Sequence, residues 1–347
     1  MSGQFPFAGP TTIPFPNATP PFSFRYVRQK QRVSMVQQWS ASIQHQISSD
    51  WAAEIAYTGS HLTHQMQFMD FNAPELPVGP FANLTLQQRR RHPQWGTVQS
   101  WAPLGSGKYN AGSVSVRNTR WRGLTTLTSF TWAKNLVTSL AGVSDIGNTH
   151  YKYFDIWRGP AQMTPRLRFV NAYHYELPIG AGKALAGDVG GFAGKLISGW
   201  SLSGNLDFTT GVPNWVTTND TSGVALSVAM PNRICDPRKV PGGRNRLQWF
   251  NTGCFENAPF GTFGNSHLGV YEDPGIANWN FGVEKSTRVG PGEQGRLELR
   301  FEFFNFLNHT QWGQAVNATL QSGNINSGRI LSTRAPRQVQ IALQYYF

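Results

Sequence analysis

Charge is scarce in this sequence. Only 14% of its 347 residues are charged, against about 25% in ordinary soluble domains, and hydrophobic residues, at 39%, have not risen to replace them. Long apolar runs are missing as well. No window approaches the ~18 consecutive apolar residues of a membrane-spanning helix, so a membrane reading requires strands. The opening stretch MSGQFPFAGPTTIPFPNATPPF has neither a basic n-region nor an unbroken apolar h-region and is not a secretory signal peptide. For an exported chain this implies a true N-terminus further upstream. Cysteine is reduced to Cys235 and Cys254. The pair is no metal site on its own. In a cytosolic chain it would read as two free thiols, whereas export favours a disulfide.

What is present points to strands and turns. Aromatics reach 13%, with 36 Gly and 22 Pro, in a chain rich in Asn, Gln, Ser and Thr. A lipid-facing barrel accounts for low charge without high hydrophobicity, because it needs apolar residues only at alternate positions and fills the others with uncharged polar groups. The net charge of +12 raises the question of nucleic acid. The basic residues, however, are scattered through loop-like segments, with small clusters at Arg25, Arg28, Lys30 and Arg32, at Arg89, Arg90 and Arg91, and at Arg233, Arg238, Lys239, Arg244 and Arg246. No helical basic face, zinc spacing or RNP-like motif accompanies them. They read as solvated loop charges, and no nucleic-acid partner is expected.

Period-2 alternation recurs along the chain. From Trp200, the residues Trp200, Leu202, Leu206 and Phe208 share one face, and Ser201, Ser203, Asn205 and Asp207 share the other. Leu297, Leu299, Phe301 and Phe303 are set against Glu298, Arg300 and Glu302. Val339, Ile341, Leu343, Tyr345 and Phe347 are set against Gln338, Gln340 and Gln344. Elsewhere the pattern is weaker, and Thr128 and Asn171 fall on faces that should be apolar. About nine to ten strands are expected, at 33–47, 51–59, 108–118, 122–134, 166–177, 196–210, 278–288, 295–307 and 337–347. Short connections, near 48–50, 119–121, 178–195 and 289–294, alternate with long ones at 60–107, 135–165, 211–277 and 308–336. A soluble propeller or sandwich would have shorter loops and more charge. An outer-membrane barrel has short turns at its periplasmic end and long loops outside.

No catalytic constellation emerges. His61 and His64, in GSHLTH, lack a third ligand and read as part of a loop that follows a strand. Glu298 and Glu302, with Arg300 between them, read as a lumen-facing charge ladder rather than an acid–base pair. Asp145, Asp155, Asp207, Asp220, Asp236 and Asp273 are too scattered for a calcium loop. The stretch GAGKALAGDVGGFAGK has no Ser or Thr after its lysines and no helix signal, so it reads as a turn and not as a phosphate loop. No G-x-S-x-G elbow occurs. Neither an enzyme activity nor a cofactor is expected.

The segments TGCFENAPFGTFGNSHLGVYEDPGIANWNFGVEKSTRV, RLELRFEFFNFLNHTQWGQ and GRILSTRAPRQVQIALQYYF resemble the C-terminal barrel of the Oar-like TonB-dependent receptors. The earlier pieces QQWSASIQHQI, AEIAYTGSHLTH, SFTWAKNL, RFVNAYHYELPIG and SGWSLSGNLDFTTGVP resemble the same family in the same order. The resemblance implies a bacterial outer-membrane protein that takes up a ligand. It also implies a plug, a small regulatory-like domain and a TonB box, none of which is visible in this sequence, so any contact with TonB would run through upstream regions. Two alternatives are a surface structural or adhesion protein displaying its loops, and a soluble β-rich carbohydrate-binding or hydrolytic domain.

These readings lead to an all-β chain. Residues 1–32 are expected to be an extracellular loop or strand remnant, and residues 33–347 an antiparallel, incomplete part of a barrel of about 22 strands. An odd strand count with periplasmic short turns makes the chain start outside. Val339, Ile341, Leu343, Tyr345 and Phe347 resemble the C-terminal signal read by the outer-membrane insertion machinery. Glu298, Arg300, Glu302 and Asp207 are expected to face the lumen. Cys235 and Cys254 are expected to pin the 211–277 loop, whose cations would be open to lipopolysaccharide. Lipid of the outer membrane is the remaining partner.

Overall fold

In the computed structural model, which describes residues 21–138, 150, 152–226, 228–290, 295–313, 320 and 324–347, the alternating segments are strands. In chain order they are β1 Phe22–Arg25, β2 Met35–Gln46, β3 Trp51–Asp70, β4 Trp95–Trp121, β5 Leu124–Val137, β6 Gly159–Pro160, β7 Leu167–Glu176 and β8 Trp200–Thr209. They continue with β9 Pro213–Asn214, β10 Asn232–Arg233, β11 Phe255–Glu256, β12 Tyr271–Glu272, β13 Ile276–Val289, β14 Gly295–Phe304 and β15 Gln338–Tyr346. One short helix, α1, spans Gly191–Ile197.

Nine strands form one path in the order β15-β14-β13-β8-β7-β5-β4-β3-β2, with β1 and β6 attached at its side. Every neighbour along the path is antiparallel. The sheet is not closed: β2 and β15 are its two edges.

Register decides which residues share a face, because directly paired residues project to the same side. Gln344, Glu298, Ser286 and Ser201 belong to one such side, as do Gln340, Glu302, Gly282 and Ser203. Followed through β7, β5, β4 and β3, that side reaches His174, Thr125, Ser115 and Glu54, and ends at Gln44 on β2. The opposite side carries Ile341, Phe301, Val283, Leu202, Tyr175 and Leu124. Further along it come Phe130, Val114, Ile55 and Ile43. One face is thus polar and the other apolar across all nine strands. Many large apolar residues are open on the second face, including Ile43, Ile55, Phe130, Ile341 and Leu343. A soluble fold would bury such a patch.

Thr128 and Asn171 do sit on the apolar face. They satisfy one another there: the Asn171 amide donates to the Thr126 and Thr128 hydroxyls at 2.9 and 2.7 Å. Self-pairing removes most of the cost of placing these groups on an apolar surface.

Several expectations are corrected. β3 and β4 run far past 59 and begin well before 108, so the 60–107 excursion is largely a long hairpin with residues 71–94 at its tip. His61 and His64 therefore lie within β3 rather than in a loop, and His64 occupies a bulge with φ of 56°. The β4–β5 turn is Arg122–Gly123, with φ of 51° and 86°, the two left-handed residues of a tight hairpin turn whose twist matches the strands. The Gly-rich 178–199 connection holds a helix that its sequence did not announce. Helix propensity is poor there, and tertiary contacts hold the C-terminal carbonyls of α1. Residues 22–25, within the 1–32 stretch expected to be an extracellular loop or strand remnant, form β1, which pairs in parallel with β4. Asp145 and the Gly-Pro-Gly turn beyond Gly290 lie outside the described residues.

Candidate functional site

The two ends of the sheet differ. At one end the strands are joined by the short turns after Gln46, Trp121 and Val289 and by the connection bearing α1. At the other end the long loops fold into a continuous cap. Arg89 lies in the 71–94 segment and donates to the carbonyls of Glu75 and, at 2.6 Å, Gly223. That second bond joins two loops. The His150 ring is hydrogen-bonded through Nε2 to the Pro74 carbonyl at 3.1 Å and accepts at Nδ1 from the Lys152 amide. Val137, Trp157, Ala161, Met230 and Leu268 form one apolar cluster, and Val216, Phe250, Cys254, Phe255, Val270, Tyr271 and Ile330 form another. Each draws residues from more than one loop, so burial of apolar area ties the loops together.

The base of the cap is a buried charge. Asp70, at the end of β3, pairs with Arg90 at 3.1 Å, and both side chains are more than nine-tenths buried. Asp70 also accepts from the amides of Asn72 and Val98, and Arg90 donates to the Asn72 carbonyl at 2.7 Å. The Asn72 amide group donates to the carbonyls of His92, Trp95 and Gly96, and its oxygen accepts from the His92 amide. A buried ion pair offsets its desolvation through further hydrogen bonds, and here both partners make them, although the Arg90 Nε is buried without a hydrogen-bond partner. Arg89 and Arg90 are therefore structural, not the solvated cations that a basic run suggests. No periodicity marks such a role, because the partners come from residues 70, 72 and 223.

Cys235 and Cys254 are joined by a disulfide with Cα atoms 4.8 Å apart. The bridge lies beside the β10–β11 ribbon, where the Ile234 amide donates to the Cys254 carbonyl. Around it Arg233, Arg238, Lys239, Arg244 and Arg246 are exposed. Arg238 forks onto Asp236 with bonds of 2.9 and 3.2 Å, which holds the Asp236 carboxyl below its ordinary range. Arg244 stacks over Trp249. An open hollow of about 670 Å³ adjoins this region and is lined by residues that include Phe255, Asn257, Leu320 and Ile325.

Glu298, Arg300 and Glu302 share the polar face. Glu298 receives Arg300 and Arg296, each at 3.1 Å. Arg300 lies opposite Glu284, and Glu302 lies between Gly282 and Gln340. The Ser203 hydroxyl donates to Glu284. Asp207, nearer the cap, holds Arg168 at 3.2 Å and accepts from Thr209. The closing strand carries Val339, Ile341, Leu343 and Tyr345 on the apolar face, and Phe347 is fully exposed beside Tyr345. Among the described residues no group of three His, Cys, Asp or Glu side chains is placed to hold a metal ion.

Among solved structures, the outer membrane transporter YddB from Escherichia coli has the same fold. Its TM-score is 0.51 at 9% identity, covering 95% of this chain and 35% of the transporter. The chain thus spans about a third of that protein's length. BauA, the ferric preacinetobactin receptor from Acinetobacter baumannii, aligns with a TM-score of 0.44 at 12% identity over 89% of this chain and 29% of its own. FpvA of P. aeruginosa, in a complex with a heterologous pyoverdine, aligns with a TM-score of 0.44 at 8% identity over 90% of this chain and 27% of its own. No curated protein matches the sequence. The model of the outer membrane beta barrel domain matches residues 1–340. With a two-faced, open antiparallel sheet and a loop cap at one end, the chain belongs to the outer membrane β-barrel domain family, and its place is the bacterial outer membrane.

Proposed function

We propose that this chain is part of the barrel of a TonB-dependent receptor of the Oar-like kind, which takes up a ligand across the outer membrane. In this reading the apolar face meets lipid, and the polar face with Glu298, Arg300, Glu302 and Asp207 lines the lumen. The cap faces the cell exterior. The observation that carries the reading is the joining of this two-faced sheet to a cross-linked cap, because a receptor must present an ordered surface above a polar passage. The exposed cations beside the Cys235–Cys254 bridge suit an anionic ligand or the phosphates of lipopolysaccharide. Energy coupling would come from a plug and TonB contact outside this chain.

The test is a growth competition between the parent bacterium and a strain lacking this gene, run on media limiting in iron or in single oligosaccharides, each with and without TonB. A defect on a limiting nutrient that disappears in the TonB-deficient background supports uptake. A defect in surface attachment alone, independent of TonB, would replace transport with adhesion.

A further inference from the structure

The position of α1 is unusual for a connection between strands, because it lies on the apolar side of the sheet. Lys285 and Trp200 are paired by register and both project from the apolar face. The Lys285 ammonium donates to the carbonyl of Lys195 at 2.7 Å and to that of Ser198, and lies 5.6 Å from the centre of the Trp200 ring. The Trp200 indole donates to the Leu196 carbonyl at 3.0 Å. Two side chains of the apolar face thus grip the C-terminal carbonyls of the helix, where positive charge is favoured. Gly199, with φ of 76°, lets the chain pass straight from the helix into β8. A Cβ there would strike the Ser286 carbonyl.

The helix itself leaves its apolar residues uncovered. Phe192 is 84% exposed and Leu196 59%. Four residues apart, they share one face of the helix, with Lys195 beside them. Gly194 is the only buried residue of α1 and marks the side turned to the protein.

We infer that α1 is an interfacial foot. Phe192 and Leu196 enter the headgroup–acyl boundary of the leaflet at the turn end of the sheet. The occupant is phospholipid because the exposed helix residues lie on the same side of the sheet as the apolar face of the strands, as in a helix lying in the interface plane. The inference rests on the reading of that face as lipid-facing. Its consequence is that the 178–199 connection fixes the depth of the sheet in the membrane.

Spin labels test it, since the protein has no free cysteine among the described residues. Phe192→Cys, Leu196→Cys, Leu206→Cys and Asn83→Cys are labelled singly in the full-length protein, reconstituted in phosphatidylethanolamine–phosphatidylglycerol bilayers. Collision rates with oxygen and with a water-soluble nickel chelate then report depth. Leu206→Cys, on the apolar face of β8 and six residues in from Trp200, is expected deep in the bilayer, Asn83→Cys in water, and Phe192→Cys and Leu196→Cys about 5–10 Å inside the headgroup boundary. Nickel accessibility at both helix positions equal to that at Asn83→Cys, with Leu206→Cys still deep, overturns the foot alone. Exclusion of both reagents from the helix labels also overturns it, by revealing a protein neighbour. A water-exposed Leu206→Cys would overturn the lipid-facing reading on which the foot depends.

Discussion

A single arginine, placed on either of two neighbouring residues, separates the two faces of the sheet. Leu206 lies six residues beyond Trp200 in β8. At about 3.4 Å per residue this is about 20 Å along the strand. A tilt of about 40° reduces it to about 15 Å of depth, near the middle of an apolar band about 25 Å tall. Leu206 is paired with Trp279 and Asn171 on the apolar face, whereas Asn205, its neighbour at almost the same depth, is paired with Asn280 and Ala172 on the polar face. An arginine at a lipid-facing midplane position costs about 2–4 kcal/mol, equivalent to about 30-fold to several hundredfold in the folding equilibrium. Leu206→Arg should therefore lose this much, and Asn205→Arg should lose little. Reversible denaturant titrations of the full-length protein refolding into vesicles measure both. Equal losses, or a larger loss for Asn205→Arg, would refute the assignment of faces.

Other expectations concern the cap and the closing strand. Asp70→Ala strands the Arg90 charge in a buried site and should weaken the cap by about 3–5 kcal/mol, seen as rapid protease cleavage within 71–94 while the strands stay protected. Reducing the Cys235–Cys254 bridge, with a sequence separation of 19, should cost about 3 kcal/mol of local stability, read from hydrogen exchange in 234–254. Burial holds the His150 imidazole below its ordinary value of 6.5. Below pH 6.5 the unfolded loop takes up a proton that the folded loop resists, so cap stability is full above pH 6.5 and falls as the pH drops below it. His150→Gln should flatten that dependence in proteolysis across pH 5 to 8. Deleting Phe347 from the full-length protein should lower its level in the membrane well below that of Phe347→Tyr, and equal levels would remove the insertion-signal idea.

The division between what the sequence by itself determined and what the tertiary structure decided follows the range of the forces involved. Strand alternation is local: Trp200 to Phe208 and Leu297 to Phe303 announce two faces because side chains alternate with period two, and the low charge of the whole chain told which environment those faces suit. That Glu298, Arg300 and Glu302 share one face was legible for the same reason. Strand ends were not, since β3 and β4 continue through a bulge into a hairpin whose partner residues are distant in sequence. The cap was invisible as well, because its ion pair, its His150 contact and its apolar clusters join residues 70 to 330 with no repeating spacing. Helix α1 is the sharpest case. Its glycine-rich sequence has little helical preference, and the ammonium of Lys285 and the indole of Trp200, delivered by sheet register, bind its C-terminal carbonyls.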